Sequence, residues 1–133
     1  MEKYISSDKV IGIVYSLLTS INIPIYVRTK PTKAADDEYI VINTLAINAD
    51  VLQSCRVNVN YHCKDLYVDD MGYVPDMANL DSNTNTIINL LKRYTGSGTH
   101  TYTIDFIGQE TFSEENINEH FSNVKFKFNY INK

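Results

Sequence analysis

Residues 54–64, Ser-Cys-Arg-Val-Asn-Val-Asn-Tyr-His-Cys-Lys, alternate apolar and polar side chains with a period of two. In an extended chain this puts Cys55, Val57, Val59, Tyr61 and Cys63 on one face and Arg56, Asn58, Asn60, His62 and Lys64 on the other. A strand of this kind is half-buried. The rest of the chain must cover the first face and leave the second to water or to a partner.

The cover comes from two helical patterns. After the capping residues Ser6, Ser7 and Asp8, apolar residues at Val10, Val14, Leu17 and Ile21, widened by Ile11 and Leu18, predict a helix over 7–20. Gly12 inside it is read either as a close approach to a strand or as incidental. Asn22 and Pro24 end this helix. Met77, Leu80, Thr84, Ile87, Ile88 and Leu91 predict a second helix over 76–94, or a shorter one capped by Asp81 or Ser82. Gly96-Ser97-Gly98 stops it.

Between and after the helices lie extended patterns. Residues 25–29 read as a short strand with Ile25 and Val27 on one face, and residues 30–37 as a polar, exposed loop. Glu38–Ile47 is apolar on both sides, with Tyr39, Val41, Leu45 and Ile47 opposite Ile40, Ile42 and Ala46. It is predicted to be covered on both faces, or covered on one and packed against a neighbouring subunit on the other, and to form an antiparallel hairpin with 53–64. Thr101–Ile107 alternates with Tyr102, Ile104 and Phe106 inward. Gln109–Asn123 reads as a polar connection holding a helical turn near Ile117 and Phe121. Val124, Phe126, Phe128 and Tyr130 form the inner face of a last strand, and Lys125 and Lys127 on its outer face suit an edge. Asp65–Asp76, with four acids, two tyrosines, Gly72 and Pro75, reads as a long excursion. It serves either as a contact loop or as a surface loop that tucks Leu66, Val68 and Val74 against the domain. Together these predict a single α+β domain over 1–133, a mostly antiparallel sheet of about five strands with two helices packed on one face.

At 133 residues the chain fits one core, since a chain of this size buries roughly two-thirds of its unfolded surface. Its formal charge of −4, with no run of Lys or Arg, speaks against a phosphate-binding surface but leaves room for a wall that a duplex passes. No stretch reaches the roughly 18 apolar residues of a membrane span, and MEKYISSDKV does not read as a signal peptide. A cytoplasmic protein is expected. Cys55 and Cys63 lie about 26 Å apart along one strand, too far for a disulfide, and read as small buried apolar residues.

Chemistry-bearing motifs are missing from the sequence: there is no GxxxxGK[ST], GxGxxG, HExxH, CxxC or GxSxG. His62, His100 and His120 fall on three elements and make a poor metal set, while Asp65, Asp69, Asp70 and Asp76 lack the spacing and terminal Glu of an EF-hand. Asp105 falls on a polar face, where a solvated carboxylate outweighs a general base. No catalytic, metal or cofactor site is expected.

The order of elements is informative in another way. An N-terminal helix, Ile21-Asn22-Ile23-Pro24-Ile25-Tyr26, the Lys30-Pro31 loop, the EYIVI strand, RVNVNYHCK, the helix TNTIINLLKRY and a closing strand pair resemble the tail-completion or tail-terminator proteins of tailed bacteriophages, from about Val10 to Phe128. Segments 65–76 and 109–123 are longer than that family's pattern. The resemblance implies a non-enzymatic virion protein. Its copies would close into a homo-oligomeric ring at the head-tail junction, beside portal, neck or tail proteins, with genomic DNA passing non-specifically through the channel and no membrane contact. It would reside in the host cytoplasm before assembly. The expected contacts are Lys33, Asp36, Asp37 and Glu38 in the first loop, Asp69, Asp70 and Tyr73 in the second, and Arg56 and His62 on the outer row. Two rivals stand beside it. One is a cone-shaped small-ligand module or lyase/isomerase, using Tyr61, Tyr102 or Tyr130 on an inward face, and the other is an adaptor that pairs peptides along the Val124–Tyr130 edge.

Overall fold

The Ser6 hydroxyl accepts a hydrogen bond from the Lys9 backbone N–H at 3.1 Å, satisfying one of the orphan donors of a helix's first turn. From this cap the computed structural model, which describes residues 4–31, 36–92, 94–96, 101–114 and 116–131, runs into helix α1 (Ser7–Leu18), which buries Val10, Ile11, Val14 and Leu18. A 3-10 turn, Thr19–Ile21, and Asn22 in left-handed backbone end the helix before Pro24. Gly12 faces open space and marks no close approach to a strand.

Strands β1 (Ile25–Val27), β2 (Glu38–Thr44) and β3 (Leu52–Lys64) follow, then β4 (Leu66–Val68) and β5 (Gly72–Val74), helix α2 (Met77–Leu91), and strands β6 (Tyr94–Thr95), β7 (Tyr102–Glu114) and β8 (Glu119–Ile131). Six of the strands form one sheet ordered β1-β2-β3-β8-β7-β6, antiparallel except for the β1/β2 pair. The expected hairpin of β2 with β3 is present, pairing Ile40 with Tyr61 and Ile42 with Val59. Both helices lie on one face of the sheet. Val14 and Leu18 of α1 and Leu80, Ile87 and Leu91 of α2 share a core with Ile40, Ile42, Val57, Val59, Tyr61, Ile104, Val124, Phe126 and Phe128. Each such side chain contributes about 1.5–3 kcal/mol by leaving water. The domain is therefore α+β, with six strands in the main sheet where about five were expected.

Four expectations need correction. Gln109–Asn123 is no connection with a helical turn: it forms the outer half of β7, a turn and the start of β8. The misreading has a physical cause. Gln109 and Thr111 sit on the helix-facing side of an outlying strand, where Gln109 Nε2 donates to Ser122 Oγ at 2.9 Å and Thr84 Oγ1 donates to the same oxygen at 2.6 Å. Hydroxyls and an amide take the place of an apolar stripe. Second, Val124–Tyr130 lies between β3 and β7 and is not an edge, so no peptide can pair along it. Lys125 and Lys127 are charged because their side of the sheet is open, which a central strand of an antiparallel sheet also allows.

Third, the segment 65–76 is a separate two-stranded hairpin, β4 with β5, turned by positive φ angles at Asp70 and Gly72. Its Leu66 and Val68 stay exposed, while Val74 is partly buried. Asp76 caps α2 by accepting from the Asn79 N–H at 3.2 Å, so Asp81 and Ser82 have no capping role and the helical stripe begins at Leu80, leaving Met77 exposed. Fourth, β2 ends at Thr44, and Leu45 beyond it is exposed. Phe106, expected inward, lies opposite Phe126 with ring centroids 5.9 Å apart but keeps 39% of its surface in water.

Candidate functional site

The register of the sheet lines up Tyr39, His62, Phe121 and Phe112 on four adjacent strands of the open face. Their rings touch in series. Tyr39 and His62 stack at 4.5 Å and 7°, His62 and Phe121 at 4.7 Å and 22°, Phe121 and Phe112 at 5.4 Å and 28°. Tyr26 of β1 meets Tyr39 edge-on at 6.1 Å, and Lys30 Nζ stands 4.3 Å above the Tyr39 ring. The ladder closes one end of a face that the sequence leaves polar elsewhere.

Glu119 lies beneath the ladder, 5% exposed. Its Oε2 accepts from the Tyr39 hydroxyl at 2.8 Å and meets His62 Nδ1 at 2.9 Å. An ionised carboxylate only accepts, so Nδ1 carries the proton. Burial pushes the Glu119 carboxyl up, but the hydrogen bonds from His62 and Tyr39, the His62 charge and Lys30 outweigh it and hold the group below its ordinary value. Burial and the same hydrogen bond push the Tyr39 phenol well above its ordinary range. His62 is therefore no solvent-facing contact residue: it is buried at 8% exposure, covered by two rings. Sequence reasoning missed Glu119 because its strand was begun five residues later, at Val124. Extending the alternation back from Phe121 would have placed it on the outer row.

The other predicted contacts are scattered over the fold. Lys33 lies outside the described residues. Asp36 accepts a short hydrogen bond from the Tyr26 hydroxyl. Asp37 pairs with Lys64 Nζ at 2.9 Å, and its carbonyl accepts from the Lys64 N–H at 3.0 Å. Glu38 accepts from the Tyr61 hydroxyl at 2.8 Å. Asp37 and Glu38 thus sit where β3 ends and the β4–β5 hairpin begins, and line one hollow there with Asp65 and Asp76, while Asp36 is held by Tyr26 of β1. Asp69, Asp70 and Tyr73 sit on the hairpin itself, exposed. Arg56 stands apart in the middle of the open sheet face, opposite Lys127.

A second arrangement invites a chemical test. Cys63 stands opposite His120 in the β3/β8 register, and His120 Nδ1 meets Asp65 Oδ1 at 2.6 Å, the residue types of a nucleophile, base and orienting acid. The thiol itself argues against that use. Burial, followed by the carboxylates of Asp76, Glu38 and Asp65 and opposed only by Tyr61, pushes Cys63 up to about 11, and burial pushes Cys55 to about 11 as well. Both are free and buried, as expected. At pH 8 the thiolate fraction is roughly one part in a thousand. Native protein is expected to leave both cysteines unlabelled by iodoacetamide at that pH, while urea-unfolded protein reacts at both, a contrast that peptide mass mapping reads directly. Rapid labelling of native Cys63 would instead mark an activated thiol.

Among the described residues no group of three or more His, Cys, Asp or Glu could hold a metal ion, and no described helix is long and apolar enough to cross a membrane. Tyr61, the inward tyrosine of the ligand-module reading, is fully buried with its hydroxyl on Glu38. Tyr102 stacks on Phe128 at 5.2 Å. Neither a scan against models of known protein families nor a search of curated proteins finds a match to this chain.

Proposed function

We propose that this protein is a structural subunit of a tailed-bacteriophage virion that closes into a ring at the head-tail junction, around the channel through which DNA passes. The observation that carries this reading is the β4–β5 hairpin. An isolated two-stranded hairpin is marginal in water, yet this one holds Leu66, Tyr67, Val68, Met71 and Tyr73 exposed, with Tyr67 at 65% and Met71 at 71%. Its internal support among the described residues is the edge-on contact of Tyr67 with Tyr73 at 5.3 Å, the cross-strand ladder and a turn hydrogen bond from the Met71 N–H to the Val68 carbonyl at 3.1 Å. Such an arm gains its stability from a neighbouring molecule. The element order of the chain, which resembles the tail-completion family, supplies the virion context, and the neighbours in that setting are further copies and the portal, neck or tail proteins.

In this reading the protein binds rather than catalyses, and DNA touches it only in passing. Native mass spectrometry of the purified chain, followed by electron microscopy of the particles, is expected to show a closed ring. A strict monomer at the highest soluble concentration, or a small molecule that copurifies in an enclosed cavity, would overturn the proposal, the latter in favour of a ligand-binding domain.

A further inference from the structure

The middle of the open sheet face carries a positive stripe. Arg56 and Lys127 are directly opposite in the β3/β8 register, with Lys125 two residues along β8. Like charges directly opposite each other destabilise a strand pair, and none of the three makes an ion pair among the described residues. Asp105 stands on the other side of Lys127 without pairing with it. Beside Lys127 the face falls into a hollow of about 340 Å³ lined by Leu52, Tyr102, Ile131 and polar Thr101, Thr103 and Asn129. An anionic group flanked by an apolar one would satisfy both features.

The hairpin offers that combination. Asp69 and Asp70 form its exposed turn, also without an ion pair among the described residues, and the exposed rings of Tyr67 and Tyr73 each lie within three residues of Asp70. That offset is about 7–10 Å along a strand, comparable with the step of two residues, about 7 Å, from Lys127 to Asn129 in the hollow. Within one chain no ion pair joins Asp69 or Asp70 to the stripe among the described residues. The hairpin leaves the sheet at Lys64, eight residues or about 26 Å along β3 from Arg56, and the turn at Asp70 lies six residues, at most about 20 Å, beyond Lys64.

We propose that the β4–β5 hairpin of one copy docks on the open sheet face of the next, with Asp69 and Asp70 against Arg56, Lys125 and Lys127 and a tyrosine of the hairpin in the hollow beside Lys127. The inference rests on the ring reading and names its contact. Each copy gives an arm and receives one, so the contact is heterologous and can close into a ring. Nucleic acid is the poorer occupant of the stripe: three cations flanked by Asp105 and Glu110 on the adjacent strand, in a chain of net charge −4, make a weak phosphate track.

The test is a charge swap read by native mass spectrometry and sedimentation, with circular dichroism confirming the fold. Asp69→Lys with Asp70→Lys (the arm variant) and Arg56→Glu with Lys127→Glu (the face variant) are each expected to raise the concentration for half-assembly roughly tenfold or more. The chain carrying all four substitutions is expected to assemble again. Mixing the two double variants sets the Asp arm of one on the Arg/Lys face of the other and the Lys arm on the Glu face, so the mixture should assemble again, as alternating copies, where neither variant does alone. If the wild type assembles and both double variants do so unchanged, this contact is wrong while the ring reading stands. If the wild type never assembles, both fail. Loss of duplex-DNA retention in the face variant with assembly unaltered would also overturn the contact, and would assign the stripe to nucleic acid.

Discussion

Replacing Phe126 with alanine is expected to lower the stability of the fold by about 3–5 kcal/mol. Phe126 is fully buried on β8, the strand that joins the two halves of the sheet, opposite Val57 on one side and Phe106 on the other. Truncation loses the transfer energy of the ring and leaves a void, because neighbours held by two strand ladders cannot collapse into it. Urea unfolding followed by circular dichroism reads the effect as a lower midpoint at unchanged slope. Phe126→Leu, which keeps most of the volume, should cost less than about 1.5 kcal/mol. Phe112→Ala, at the exposed end of the ring ladder with 40% of its surface in water, should cost much less than Phe126→Ala. Equal losses at Phe112 and Phe126 would contradict the assignment of the core to the helix-covered face.

Removing the Glu119 carboxylate is expected to be the largest polar effect. Glu119→Ala strands the Tyr39 hydroxyl and the His62 Nδ1–H in a buried place, and breaking such a buried pair from one side costs about 3 kcal/mol. Glu119→Gln keeps an acceptor oxygen and should lose less. The pH dependence has a definite sign. The folded carboxyl titrates below its unfolded value, so its contribution is complete above the ordinary glutamate range and disappears as pH falls through the lowered folded value. The wild type is therefore expected to lose stability on acidification below about pH 4, with a shallower acid slope in Glu119→Gln. Identical slopes in the two proteins would show that Glu119 is not held ionised by His62 and Tyr39.

Much of the scaffold was legible because its signals are local. The stripe Val10, Val14, Leu18 and the stripe Leu80, Ile87, Leu91 bury as their helical period implies, and the alternation of 55–63 buries its Cys, Val and Tyr face. The two-sided apolar reading of Glu38–Ile47 holds only over its first half: Tyr39 and Val41 are 6% and 7% exposed and Ile40 and Ile42 fully buried, whereas Leu45 and Ala46 are exposed. The candidate site was harder to see. Asp37 and Glu38, singled out in the sequence, line the hollow at the arm's base, but His62 was assigned to the surface and Glu119 was passed over. Burial on an open face depends on which rings a register places beside one another, and no window along one strand contains Tyr39, His62, Phe121 and Phe112 together.

The alternation of residues 54–64 shows the same division. By itself it determined which of its residues face the core, because a period of two leaves an extended chain one way to bury Val57, Val59 and Tyr61 together. Only the tertiary structure decided what becomes of the other row: β2 and β8 bury His62 between two rings over Glu119, and β8 sets Lys127 against Arg56. The physical reason is that burial follows from a chain's own period, whereas the charge and ring chemistry of a face is a sum over neighbouring strands distant in sequence.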